Sequence, residues 1–231
     1  MPRPFLTAEW RKLAIANYVI DPVVLLPYVP VKTEIDFRNK QCYLSLVGFM
    51  FFNTRVKGVK IPFHVDFEQI NLRFYVRCGE KRGVVFIKEI VAKPTVAWMA
   101  NLMYKESYRI MQTAYSHIAS PGNWNIEYRW KGKEWNTFRV ASDKTPLAIK
   151  NGSEEEFILE HYWGYKKNNK TTMEYLVEHP SWEVYPVTSC SVNVDFGDVY
   201  GQQFAFLSNE KPVSVFLAEG SEVAVHNGRF I

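Results

Sequence analysis

Hydrophobic and polar positions alternate with a period of two over most of this chain, which predicts strands rather than helices. Residues 41–52 depart from simple alternation. Tyr43, Val47, Phe49 and Phe51 fall on one face, Leu44, Leu46, Met50 and Phe52 on the other, and only Ser45 and Gly48 interrupt. A strand apolar on both faces belongs in the middle of a thick structure. Residues 67–78 divide differently. The even positions Glu68, Ile70, Leu72, Phe74 and Val76 make a core face headed by an acid. The odd positions Phe67, Gln69, Asn71, Arg73, Tyr75 and Arg77 are polar yet aromatic, so that face either meets water or lines a polar cavity, as barrel interiors can. Residues 83–91 set Val84, Phe86, Lys88 and Ile90 against Val85, Ile87, Glu89 and Val91, with one charge on each face.

Around these strands the pattern predicts further elements. Residues 13–20 read as a first strand, and Asp21-Pro22 as the start of a short helix that Pro27 and Pro30 stop. Residues 33–37 pair with 41–52 as a hairpin. Pro94 opens a helix to about residue 104, with Val96, Met99, Ala100 and Met103 on one face, and residues 107–118 read as a long strand. Residues 125–129 and 136–140 form a hairpin around Lys131-Gly132-Lys133. Ser153 and Glu156 have capping-box spacing, predicting one helical turn before a strand at 157–165. Residues 166–170 turn the chain back into 171–177. Residues 182–194 form a strand region bent at Pro186, residues 196–206 a short helix, and 213–217 with 222–225 a last hairpin across Glu219-Gly220. With no repeat and no linker, residues 1–231 are expected to form one mainly β domain with two or three short helices.

Composition narrows the classes. Aromatic residues make up 16% of the chain, enough large side chains to fill a wide interior. The net charge of +4 is spread over turns, whereas a nucleic-acid partner calls for a clustered excess. Cys42, Cys78 and Cys190 are odd in number and lack CxxC spacing, which argues against a disulfide framework or a zinc site and for a cytoplasmic setting. The first residues contain no apolar core of a signal peptide, and the longest apolar run, 42–52, is far short of the ~20 residues of a membrane helix, so no membrane partner is expected. The five histidines show no metal-binding spacing, GEKRG is a turn and not a phosphate loop, and no G-x-S-x-G occurs. Neither a metal nor a cofactor is expected.

Candidate chemistry concentrates between residues 64 and 109. A catalytic lysine needs a depressed pKa from burial or a neighbouring cation. Lys88, on a strand face, and Lys105, four residues before Arg109, are the candidates, and each also reads as a solvated lysine. Glu68 and Glu89 sit in apolar surroundings, where a carboxylate must pair or protonate; each reads as a general acid or as half of an ion pair. His161 in LEHYWGY and His179 in EHPSW lie among aromatics and read as packing or hydrogen-bonding groups.

The segments PFLTAEWRKL, DPVVLLPYVP, FEQINLRFYV, RGVVFIKEI, LEHYWGY and EHPSW together resemble the YqjF-like family of unknown function (DUF2071), a branch of the acetoacetate decarboxylase-like superfamily, over most of the chain. The resemblance implies a closed antiparallel β-barrel or cone around a central cavity. True decarboxylases of this fold carry a Pro-Lys-Lys segment after the helix, one lysine forming the Schiff base and its neighbour lowering its pKa. The matching segment here is Tyr104-Lys105-Glu106-Ser107-Tyr108-Arg109, which lacks the lysine pair and places an acid beside Lys105. A carboxylate neighbour raises a lysine pKa, opposing that chemistry. On this basis Lys105 and Glu68 are the candidate catalytic residues, and Asn71, Arg73, Tyr75, Lys88, Glu89 and Tyr108 the candidate ligand-binding residues. The expected function is binding of a small anionic or carbonyl-bearing molecule, with lyase- or hydrolase-type chemistry or as a non-catalytic binding or interaction protein. Oligomeric state is left open.

Overall fold

Strand pairing closes strands from both ends of the chain into a ring. The computed structural model describes residues 3–62, 65–93, 108–120 and 122–231. We number the principal strands β1 (Leu6–Val19), β2 (Gln41–Val56), β3 (Phe67–Cys78), β4 (Lys81–Val91), β5 (Tyr108–Ile110), β6 (Thr113–Ser120), β7 (Asn123–Lys131), β8 (Trp135–Asp143), β9 (Trp163–Asn168), β10 (Thr171–Glu178), β11 (Glu183–Tyr185), β12 (Val187–Asn193) and β13 (Ser214–Val225). The ring runs β13-β1-β2-β3-β4-β9-β10 and returns to β13 through Val177 opposite Val225. The neighbours are antiparallel except β4 and β9, which pair in parallel through Trp163 opposite Gly83. A second sheet, ordered β12-β8-β7-β6, packs on the outside.

The two-sided strand explains this layering. On β2, Tyr43, Val47, Phe49 and Phe51 point into the ring, while Leu44, Leu46 and Met50 join Tyr128, Trp130, Phe138 and Val140 in the core between ring and second sheet. Gly48 makes the close approach possible: a Cβ there would stand 2.6 Å from the ring of Tyr128. β3 follows the same rule, with Ile70, Leu72, Phe74 and Val76 outward and Phe67, Gln69, Asn71, Arg73 and Tyr75 inward, matching β2 in register.

Several expected elements are redrawn. β1 starts at Leu6, seven residues before the expected start at 13. The expected strand 107–118 is two strands: β5 lies parallel to β4, and β6 belongs to the second sheet. The capping box at Ser153 holds, its hydroxyl accepting from Glu156 N–H, but helix α1 (Glu154–Leu159) buries Phe157, Ile158 and Leu159, so the following strand begins at Trp163 and not at 157. Pro186 separates β11, paired with β13, from β12, paired with β8; the expected bend is a change of sheet. Residues 214–225 form one strand, and Gly220 is a kink within it at φ +80°, not a hairpin turn. Asp21 caps a 3-10 turn at Pro22–Val24, accepting from Val23 N–H at 2.9 Å. Helix α2 (Phe196–Tyr200) and a 3-10 segment, Gln202–Asn209, occupy the expected helical region 196–206. The expected helix at 94–104 lies outside the described residues.

Candidate functional site

The inward faces of the ring strands enclose a cavity of about 130 Å³. Its wall is mainly aromatic and aliphatic, with Trp10, Phe49, Phe51, Phe67, Phe86 and Trp182 prominent. Cavities near this size hold a benzene-sized molecule. Polar groups enter from β3, where Gln69, Asn71 and Arg73 occupy alternate positions and so share one wall.

A β-bulge decides which charge of β4 joins them. Asn71 pairs with Glu89 and Leu72 with Lys88, but Arg73 pairs with Phe86, so Ile87 is the extra residue. Such an insertion exchanges the two faces of a strand from that point on. Val84 and Phe86 therefore line the cavity together with Glu89, while Lys88 turns outward with Val85, Ile87 and Ile90. Strict alternation had put Lys88 with Val84 and Phe86, and Glu89 with Val85 and Ile87.

The polar groups divide into two sets. Glu89, 3% exposed, accepts from Gln69 Nε2 at 2.8 Å, and Gln69 Oε1 accepts from the Tyr108 hydroxyl at 3.3 Å. Gln69 thus fixes the carboxylate and is itself fixed by Tyr108, which β5 brings alongside Glu89. Arg73 donates from Nη2 to the Ile158 carbonyl at 3.3 Å and lies over the ring of Tyr75. Arg82 donates to the Phe157 carbonyl at 3.2 Å and to Asp36 at 2.7 Å. Two arginines from ring strands therefore hold the C-terminal carbonyls of α1, where cations are favoured. That docking delivers Leu159 and His161 into the cavity wall.

His161 is 7% exposed and packs against Tyr75, with ring centroids 4.7 Å apart. Burial first, then the charges of Arg82 and Arg73, holds its pKa well below the usual imidazole range, so it is neutral at pH 7; the Ile158 carbonyl pulls the other way. His179 is stacked between Tyr162 at 4.7 Å and Trp182 at 4.3 Å, and burial lowers its pKa also. Asn71 Oδ1, Arg73 Nε and both ring nitrogens of His161 are buried without a hydrogen-bond partner among the described residues.

Of the candidate residues, the structure brings Asn71, Arg73, Glu89 and Tyr108 together on the cavity wall. Tyr75 stands behind that wall, its hydroxyl 2.6 Å from Ser45 Oγ. Glu68 is on the outward face, accepting from Thr113 Oγ1 at 2.5 Å, because its even position points to the second sheet. Lys88 is outward too, donating to the Val199 carbonyl, and burial followed by the charge of Arg109 lowers its pKa. Lys105 lies outside the described residues. Gln69 was not among the expected site residues although it stands on the inward face, and His161 was expected as a packing or hydrogen-bonding group; its position two residues after α1 is what places it in the wall.

A ring of this topology around a largely apolar cavity is the acetoacetate decarboxylase-like fold, and solved structures agree. The enduracididine biosynthesis enzyme MppR with HEPES bound superposes with a TM-score of 0.72 at 10% identity, covering 100% of this chain and 89% of that one. Acetoacetate decarboxylase from Legionella pneumophila gives 0.69 at 12% identity, covering 100% and 88%. An acetoacetate decarboxylase-like enzyme from Sphingomonas wittichii RW1 gives 0.67 at 9%, covering 100% and 94%. At these identities the likeness is one of fold. The chain itself belongs to the DUF2071 family of uncharacterised conserved proteins, whose family model matches residues 7–222. It is 33% identical over 78 residues to the uncharacterised protein YqjF of Bacillus subtilis, a match that spans 33% of this chain and 32% of that protein. Among the described residues no helix is long and apolar enough to cross a membrane.

Proposed function

We propose that the ring binds a small anionic or carbonyl-bearing molecule, with its anionic group on Arg73 and its apolar body against the aromatic wall. The observation that carries this reading is that Asn71, Arg73 and His161 all line one largely apolar cavity while Asn71 Oδ1, Arg73 Nε and the His161 nitrogens are buried without a side-chain partner among the described residues. Each such group costs about 1–3 kcal/mol unless something bonds to it. An anion with a second polar atom supplies an acceptor for Arg73 and a partner for Asn71 or His161. MppR has been solved with HEPES and with pyruvate, which carry a sulfonate and a carboxylate, and that supports the same ligand class here. We take residues 1–231 as one domain working in the cytoplasm, in keeping with three free thiols at Cys42, Cys78 and Cys190.

Trp10, Trp163 and Trp182 line the cavity, so binding is read from tryptophan fluorescence during titration with pyruvate and larger 2-oxo acids. Arg73→Gln removes a charge-assisted bond and raises Kd about tenfold to a hundredfold. An unchanged Kd refutes the assignment. A non-catalytic binding protein is the second reading, favoured because no lysine among the described residues lines the cavity. Borohydride trapping separates the two: an adduct on Lys105 supports the lysine enzyme, and no adduct with any oxo acid that binds removes it.

A further inference from the structure

His161 is a titratable group of the cavity wall with no side-chain hydrogen bond among the described residues, and the reading above gives it no chemical step. It reaches the wall from the segment after α1, 7% exposed, with Tyr75 on one side at 4.7 Å and the Phe157 ring edge-on at 5.9 Å. The charged and titratable groups facing it are Arg82 of β4, Arg73 of β3 and His179 beyond β10. No carboxylate is among them, and the group there that favours the imidazolium is the Ile158 carbonyl, which also accepts from Arg73. No side chain meets its ring nitrogens among the described residues, and it lies in the same wall as Arg73. At most one nitrogen can meet the Ile158 carbonyl, which Arg73 also uses, so the other is left without a partner among the described residues.

We infer that His161 is the base that removes the C3 proton of a 2-oxo monocarboxylate whose carboxylate is held by Arg73. The inference rests on the anion-binding reading of the cavity. In the step, the C3–H bond breaks and its electron pair forms the C2–C3 double bond. The C2 carbonyl π pair moves to oxygen, giving an enolate, and the proton goes to the free imidazole nitrogen. The guanidinium of Arg73 offsets the developing negative charge in a water-poor cavity, where such compensation is strongest. Return of the proton to C3 regenerates the oxo acid, and its delivery to oxygen gives the enol, so the step needs no oxidant, reductant or metal. An imidazole uncharged at neutral pH is already in the accepting form. The aromatic wall selects an oxo acid with a compact apolar side chain, such as 4-methyl-2-oxopentanoate, within a volume of about 130 Å³.

The test follows loss of the C3 proton signal of 4-methyl-2-oxopentanoate in D2O by NMR, with Kd measured in parallel by tryptophan fluorescence. The full chain is expected to exchange the C3 protons faster than buffer alone. His161→Gln is expected to weaken binding by no more than about tenfold and, with the protein saturated by oxo acid, to slow exchange by about a hundredfold or more. His161→Asn, which keeps a shorter polar side chain, should slow it equally if folding is unaffected. The rate of the unsubstituted protein should fall as acid protonates the imidazole, a pH profile that a purely structural histidine would not produce. Binding without exchange, exchange untouched by His161→Gln, or exchange stopped by Glu89→Gln alone would each overturn the inference while leaving the binding reading intact. Failure of the unsubstituted protein to bind any oxo acid would overturn both.

Discussion

Substitution of Tyr75 by phenylalanine separates support of the cavity from contact with its contents. Tyr75 is 1% exposed, and its hydroxyl is 2.6 Å from Ser45 Oγ. Ser45 has one proton and gives it to Asn17 Oδ1 at 2.6 Å, so Tyr75 must be the donor to Ser45. Asn17 Nδ2 donates onward to Ser214 Oγ at 3.0 Å, and Ser214 to Glu154. The result is a one-way chain of donors from β3 through β2, β1 and β13 to α1. Tyr75→Phe removes the terminal link while Ser45 keeps its acceptor. The expected cost is about 1 kcal/mol, a fall in Tm of about 2–4 °C for a chain of this size. Ser45→Ala removes a middle link and strands both the Tyr75 hydroxyl and Asn17 Oδ1, costing about 2–4 kcal/mol. In the double substitution the hydroxyl is no longer there to be stranded, so the combined loss should fall short of the sum by about 1 kcal/mol. Urea unfolding followed by circular dichroism gives all four corners of this cycle. Because the phenylalanine ring still packs on His161, oxo-acid Kd should stay within about twofold. Unchanged stability with weakened binding would show that the hydroxyl meets the ligand, and the buried chain would lose its explanatory role.

Glu68→Gln and Lys88→Met should each leave oxo-acid Kd within about twofold, measured beside Arg73→Gln, because both side chains point to the second sheet. Stability should fall as pH drops below about 6.5: His161, His179 and His117 all have lowered folded-state pKa values, so the unfolded chain binds protons first, at up to about 1.4 kcal/mol per pH unit for each fully suppressed imidazole. Urea midpoints at a series of pH values read this slope, and His161→Gln should flatten it. Gly220→Ala should cost at least about 2 kcal/mol, since φ is +80° and the new Cβ would stand 1.9 Å from the Trp10 carbonyl oxygen. Gly58→Ala, at φ +83° with nothing within 4 Å, is the matched control and should cost about 1 kcal/mol in the same urea assay.

Much of the fold was legible because burial on two sides leaves a plain trace. The division of β2 into Tyr43, Val47, Phe49 and Phe51 against Leu44, Leu46 and Met50 is read directly from period two, and both sets are buried as that division requires. The inward face of β3 was equally legible as a polar and aromatic row. Features that break local periodicity were not. The extra residue Ile87 leaves no mark in composition, yet it exchanges Lys88 for Glu89 in the cavity. Gly220 and Glu219 resemble a turn, and only the neighbouring strand shows that residues 214–225 run on past them. Phe157, Ile158 and Leu159 suit a strand by propensity, but the Ser153 cap and the arginines at the far end hold them as helix. His161 was illegible for the same reason, since its place in the wall follows from where α1 ends.

Gln69, Asn71 and Arg73 occupy three successive inward positions of a strand whose other face is core. A sequence shaped by stability alone would fill such positions with aliphatic side chains, because every buried polar atom must find a partner or cost free energy. Two of the three are partly satisfied by the protein, Gln69 by Glu89 and Tyr108, Arg73 by Ile158. The atoms left over, Asn71 Oδ1, Arg73 Nε and the His161 nitrogens, all belong to residues of the one wall. Other buried side-chain atoms without a partner among the described residues, such as Tyr18 Oη, Trp130 Nε1 and Ser142 Oγ, lie elsewhere in the core, whereas these belong to one cavity. Several orphans of complementary type, a cationic donor, an acceptor and a neutral imidazole, gathered in one apolar cavity, are what a polar ligand with an anionic group requires. The departure from core-like composition is local, and its position within the ring argues for function.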